Sequence, residues 1–345
     1  MQRHVPVLTT LNLLLTLVAC NAGPDVPGAT VVRNEGLQPT GGGGSVPGAD
    51  AGAANPPSVD AGTTPSTSEQ PSGIFPADSY WNTRIDDAPV DSRSDAYIAS
   101  MGADDPLVAS WDTAGNGLPY IEIGKDQAKV AVHFWGFPDE SDPGPYPIPW
   151  DAPIDRSPDR HVLVVDRASG WLYELFGGSR NADGSWQASN GAKWNLRTND
   201  RRPDRWTSAD AAGMPIFPGI VRWDEVASGW IGHALRFAVN RSQRGFVWPA
   251  SHAAGTCGLG SDCPPMGLRL RLKKSVDLSR FSPRMQVVLR ALQQYGMFVA
   301  DNSGGSSWWL AGAPDPRWSD EENLSLGALR GRDFEVVAHG EIQPQ

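Results

Sequence analysis

Three carboxylates stand where a pair could do acid–base chemistry. They are Glu174 in the run WLYELF, Asp210 in the string WTSADAAGMPIFPG, and Glu225 just after Arg222, Trp223 and Asp224. Two such groups flanking a glycosidic bond supply the acid and the base or nucleophile of glycoside hydrolysis. Strand alternation puts Leu172, Glu174 and Phe176 on one face and Trp171, Tyr173 and Leu175 on the other, so Glu174 is expected among large side chains. Its ordinary role would be a salt-bridged strand residue. Asp210 has Thr207 and Ser208 to tune its charge, and Ala211, Ala212 and Gly213 after it let a backbone or ligand approach closely. Otherwise it would accept backbone N–H bonds in a turn, and Glu225 would pair with Arg222 on a solvated helix.

A second chemistry uses nitrogen bases. His133, His161, His233 and His252 each titrate near neutrality when unperturbed. A polysaccharide lyase takes a proton beside a uronate with a His or Tyr while an Arg neutralises the carboxylate; His233 or Tyr295 with Arg236 supplies those types. His233 and Arg236 lie three apart, so on a flat strand they face opposite sides and only a bulge would unite them. The expected substrate-binding set is Trp206, Arg222, Trp223, Arg236, Trp248 and His252, with Trp186, Gln187 and Trp194 as further surface candidates. The tandem Trp308 and Trp309 must point to opposite faces if they lie on a strand.

The chain has 14 Trp, a charge of −10 and neither a GxSxG elbow, an HExxH pair, a Walker A loop nor a Rossmann glycine string. Serine hydrolases, zincins and nucleotide enzymes fall away on motif grounds, and a basic nucleic-acid binder on charge. Trp faces and buried carboxylates suit neutral sugars. Cys257 and Cys263 enclose a Gly-rich spacer and are expected as a disulfide. That pairing leaves no thiol nucleophile for a peptidoglycan-remodelling enzyme. The acidic stretch 139–142 lacks EF-hand spacing and reads as a solvated loop, so no metal or other cofactor is expected.

The elements that must hold these residues are short. With 38 Gly and 30 Pro, strands and loops should dominate. Strand-like runs fall at 119–123, 129–134, 161–166, 171–176, 233–239, 245–248, 268–272, 297–300 and 307–310, and the second pair of these, HVLVVD and WLYELF, reads as a hairpin closing at Gly170. Arg269 and Arg271 alternate with leucines as on a half-exposed strand. One amphipathic helix is clear: Ser282 caps it, Pro283 opens it and Gly296 closes it. A shorter helical turn is expected at 224–227. The fold class is therefore mainly β: a β-sandwich or jelly-roll-like single domain over 73–345 with that one clear helix.

Before residue 73 the composition differs. Val5 to Val18 is mostly apolar and of signal-peptide length, and it leads into Leu17, Val18, Ala19 and Cys20. This LVAC string resembles the lipobox of bacterial lipoproteins, which implies a signal peptide over 1–19 and lipidation of Cys20, the chain's only membrane contact. Asn21 after that Cys resembles an outer-membrane address. Residues 20–72 are Gly/Pro/Ser-rich with no aromatic; such a stretch reads as a disordered tether averaging about 40 Å in reach. The strings HVLVVD, WTSADAAGMPIFPG, HALRF, PPMGLRLRL and YGMFVADN resemble a group of secreted bacterial proteins of unassigned function. The expectation is a monomer at the cell surface or in the periplasm, meeting an extracellular polysaccharide as a hydrolase, as a lyase, or as a non-catalytic carbohydrate-binding module.

Overall fold

The computed structural model describes residues 73–345; the expected signal peptide, Cys20 and the tether lie outside the described residues. The strands are β1 Leu107–Ala109, β2 Tyr120–Glu122, β3 Val132–Phe134, β4 Val162–Asp166, β5 Trp171–Phe176, β6 Ser179–Arg180, β7 Trp186–Ala188, β8 Asn190–Asn195, β9 Leu235–Val239, β10 Gly245–Phe246, β11 Arg269–Leu272, β12 Met297–Asn302, β13 Trp308–Leu310, β14 Phe334–Val336 and β15 Gln343–Pro344. The helices are α1 Ser94–Met101, α2 Trp223–Ser228, α3 Pro283–Gln294 and α4 Asp320–Ser325. Every expected strand run is present, shortened or extended by a few residues.

The domain is mainly β and sandwich-like, with one sheet curled as a half-barrel. The four-stranded sheet, ordered β2-β4-β5-β8, is buried on both faces. Leu163, Val165 and Leu172 enter the larger core; Val162, Val164, Tyr173 and Leu175 enter a smaller one roofed by Trp186 of the β3-β7-β6 sheet. This is the alternation read from WLYELF, and it drives Glu174 into the larger core. The six-stranded sheet, ordered β1-β13-β9-β12-β11-β14, adds Leu235, Phe237, Val299 and Leu270 to the larger core. Helix α3 begins as the sequence prescribes: the Ser282 hydroxyl accepts the Met285 N–H, and Met285, Val288, Leu289 and Leu292 are buried. Gly296, at φ +68°, ends it where a Cβ would strike the Leu270 carbonyl.

Two expectations are corrected. Arg269 and Arg271 are not on a half-exposed strand: Arg271 is buried, and the two side chains bind the carbonyls of Tyr80, Thr83, Ile85, Ala88 and Tyr295. They stitch the segment 80–88 to β11, satisfying carbonyls that would otherwise be buried bare. Nor is 139–142 a solvated loop: Asp142 pairs with Arg202 at 2.7 Å, and Glu140 accepts the Thr207 N–H at 2.7 Å. Cys257 and Cys263 form the expected disulfide.

Candidate active site

The string 206–219 runs buried between the two large sheets, and Glu174 holds it there. Both Glu174 oxygens accept from the Ile216 N–H (2.9 and 3.0 Å), Oε1 also from the Phe217 N–H at 2.8 Å and Oε2 from the Trp194 indole at 3.1 Å. The side chain is 0% exposed and lines no cleft. Burial pushes its carboxyl up to about 7, against the pull of those N–H groups. Glu174 is an anchor rather than a catalytic carboxylate, because no substrate atom can reach it. It is not salt-bridged either; backbone N–H groups take that place.

Asp210 is likewise enclosed. Its Oδ1 accepts the Ala212 N–H at 2.9 Å and its Oδ2 the Arg236 Nε–H at 3.0 Å; burial raises its carboxyl to about 6. Glu225 belongs to a different place. It pairs with Arg222, accepts from His233 Nε2 at 3.1 Å, and lines a small pocket of about 140 Å³ with both of them. Burial would raise the Glu225 carboxyl, but the His233 and Arg222 charges outweigh it and hold it low. Glu174, Asp210 and Glu225 therefore share no cleft, and no two of them can flank one glycosidic bond. His233 and Arg236 are also apart: His233 sits in the Glu225 cluster with Nδ1 on the Ala234 carbonyl at 2.8 Å, whereas Arg236 faces Asp210.

Of the expected binding residues, Trp223 is gripped between Arg284, Arg317 and Trp318. Trp206 lies under Arg202, and His252 Nδ1 donates to the Ala211 carbonyl at 2.7 Å. Trp248 is 62% exposed but stacks edge-on to Tyr80, away from the clefts. Arg222 is buried on the Phe217 carbonyl and Glu225. Trp223 also borders a pocket of about 320 Å³, and Arg236 lines a larger cleft.

That cleft, about 470 Å³, is built by register. Trp309 of β13 lies opposite Ala238 of β9, and Ala238 opposite Asp301 of β12, so the three form a row across neighbouring strands. Arg236, two residues before Ala238, shares its face. A bulge between Val299 and Asp301 re-aims the end of β12. The bulge needed to unite two functional groups thus exists on the neighbouring strand, and it brings Asp301 rather than His233 toward Arg236. Ala238 is small and leaves the centre open. The loop 155–161 forms the far lip, with Asp159 and Arg156 exposed on it.

His161 closes that loop. Its Nδ1 is 2.7 Å from Asp155 Oδ2 and its Nε2 3.0 Å from the Ala209 carbonyl, so both ring nitrogens face acceptors. Burial disfavours the charged ring, yet the Asp155 bond and charge prevail and raise its pKa. With both ring nitrogens facing acceptors, His161 orients the loop and has no free nitrogen for base catalysis.

Asp301 is different. Its carboxylate is 27% exposed, Oδ1 accepts the Asn302 N–H at 2.7 Å, and burial raises its pKa while Arg236 and His161 pull it down. Trp309, 37% exposed, forms the wall shared with a second, largely apolar groove of about 760 Å³ lined by Leu107, Val108, Trp111 and Leu324. Trp308, its neighbour, is fully buried with its indole on the Met101 carbonyl. Among the described residues no cluster of three or more His, Cys, Asp and Glu is placed to hold a metal. The chain matches no family model, no curated protein and no solved structure.

Sequence reasoning passed over Asp155, Asp159 and Asp301. The last is the penultimate residue of the string YGMFVADN, where Asp-Asn before Ser303, Gly304 and Gly305 reads as a turn that stops the strand at Ala300. An acid at a strand end before a glycine turn was the available signal.

Proposed function

We propose that this protein is an exported, lipid-anchored enzyme of the cell surface or periplasm that hydrolyses an extracellular polysaccharide, and that it reacts in the Asp301 cleft. The observation that carries this reading is the pairing of a part-exposed carboxyl, raised by burial, with an exposed Trp face on the same row of strands. A carboxyl held above its ordinary range by burial is the better proton donor, and an indole face suits the CH surface of a pyranose. Asp301 gives the proton to the departing oxygen, and Asp159 on the opposite lip takes one from the attacking water. The long groove beyond Trp309 accommodates the remainder of a chain.

The test is an assay of new reducing ends across a panel of polysaccharides with the wild-type protein and the Asp301→Asn variant. Cleavage lost in Asp301→Asn and kept in Glu174→Gln is expected. Unsaturated ends absorbing in the ultraviolet would move the chemistry to a lyase. Glycan binding without any cleavage would make the protein a carbohydrate-binding module.

A further inference from the structure

Arg236 is 5% exposed and engages its Nε fully with Asp210. Its Nη2 has no hydrogen-bond partner: the nearest carboxylate oxygen, Asp301 Oδ2, is 3.8 Å away, outside bonding range. A buried guanidinium N–H without an acceptor is rare, and this one borders the cleft, where a ligand can supply the acceptor. At 3.8 Å apart, Nη2 and Oδ2 can both reach one oxygen that stands off the line joining them, about 2.9 Å from each, the usual hydrogen-bond length.

We infer that Arg236 and Asp301 together clasp the glycosidic oxygen of an uncharged glycan, which makes Arg236 a catalytic residue as well as a determinant of substrate charge. The inference rests on the hydrolase reading above. In the step, the Asp301 proton passes to the glycosidic oxygen as its bond to the anomeric carbon breaks. Water adds to that carbon and yields its proton to Asp159. The leaving sugar departs as a neutral alcohol, while the Arg236 N–H bond steadies the negative charge that builds on its oxygen before the proton arrives.

The charges facing the cleft set the substrate class. His161 is matched by Asp155 and Arg236 by Asp210, which leaves Asp159 and Asp301 against the exposed Arg156 alone. No cation is spare for a uronate, whose carboxylate would be desolvated beside the Asp301 carboxyl without a counter-charge. A neutral hexose or pentose polymer fits, and a polyuronate does not.

The experiment uses the full chain with gluco- and xylo-oligosaccharides, an oligogalacturonate, and nitrophenyl glycosides of the sugar that the natural substrate contains. Arg236→Lys and Asp301→Asn are compared with wild type, the second being part-exposed and safe for folding if the first is not. On natural linkages kcat is expected to fall about 100-fold or more in each. On nitrophenyl glycosides, whose leaving group needs neither proton nor N–H bond, the fall should be under about 10-fold. Equal losses on both leaving groups, or tighter calorimetric binding of oligogalacturonate than of neutral chains, would overturn the inference. Wild-type protein that binds neutral chains but cleaves none would overturn the hydrolase reading and the catalytic role, leaving the charge preference standing on the titration.

Discussion

Arg222 and Arg236 are both buried, each keeps one N–H without a partner, and they differ in the space beside them. Arg222 spends its terminal nitrogens on the Phe217 carbonyl and Glu225, and the cluster borders a pocket of only about 140 Å³. Arg236 binds Asp210 through Nε and leaves Nη2 without a partner in the wall of a cleft of about 470 Å³. Glu174 is matched wholly within the protein: three N–H donors converge on it. Buried polar groups that are matched within the protein specify the fold, whereas a mismatch at a cleft wall marks where something else completes the set.

The largest effect should come from the matched side. Glu174→Ala strips the acceptor from the Ile216, Phe217 and Trp194 N–H groups and leaves a void between the sheets; the loss should be about 4 kcal/mol by urea unfolding. A loss under about 1 kcal/mol would break the distinction, since it would show that the string 206–219 does not depend on its anchor. On the open side, Asp301→Asn should lower cleavage by about 10² to 10³-fold with stability held within about 1 kcal/mol. Glu225→Gln should do the reverse, weakening the Arg222 and His233 pairs by about 1–3 kcal/mol while cleavage stays within about twofold. Stability and activity that moved together in both variants would merge the two regions into one.

Acid titration sharpens the contrast next. Glu174 is raised from 4.5 to about 7 in the folded state. A carboxyl raised in this way binds its proton more tightly folded than unfolded, so its contribution is complete below pH 4.5 and is lost as pH rises through about 7. The loss between those limits should be about 3 kcal/mol, and Asp210, raised to about 6, works in the same direction. Unfolding free energy measured from pH 4 to 8 should fall with pH, and Glu174→Gln should flatten the slope. A rise over that range would show that the three N–H donors, and not burial, govern Glu174.

The asymmetry also explains what was legible in the sequence. Alternation in HVLVVD and WLYELF placed Glu174 in the core because period-two patterning is a local property, and Ser282, Pro283 and Gly296 marked α3 because caps are local too. Short strands such as Leu107–Ala109 and Phe334–Val336 exist only by pairing with distant partners, β13 and β11, so three residues carried no pattern of their own. The cleft is non-local in the same way. Asp301 meets Arg236 through a bulge and a parallel pairing of β12 with β9, and neither is written in the residues around 301. Residue type alone drew attention to 206–225, where Asp210 and Glu225 turned out to be partnered within the protein.

The smallest effect concerns tryptophan, the residue in which composition was most suggestive and least specific. Many of the Trp rings are core: Trp81, Trp111, Trp186, Trp194, Trp308 and Trp318 are all buried. Trp309 and Trp248 are both exposed, yet only Trp309 lies between the two clefts, and Trp248 stands against Tyr80 away from them. Trp309→Ala removes a stacking face of about 1–2 kcal/mol, so KM on a polysaccharide should rise about tenfold with kcat within about threefold and stability little changed. Trp248→Ala should leave both constants alone. Because Trp248 is the more exposed of the two rings, a shift in KM with Trp309 alone assigns the effect to position on the strand row. An equal shift with Trp248 would place the glycan on a broad aromatic surface and detach binding from the Asp301 cleft.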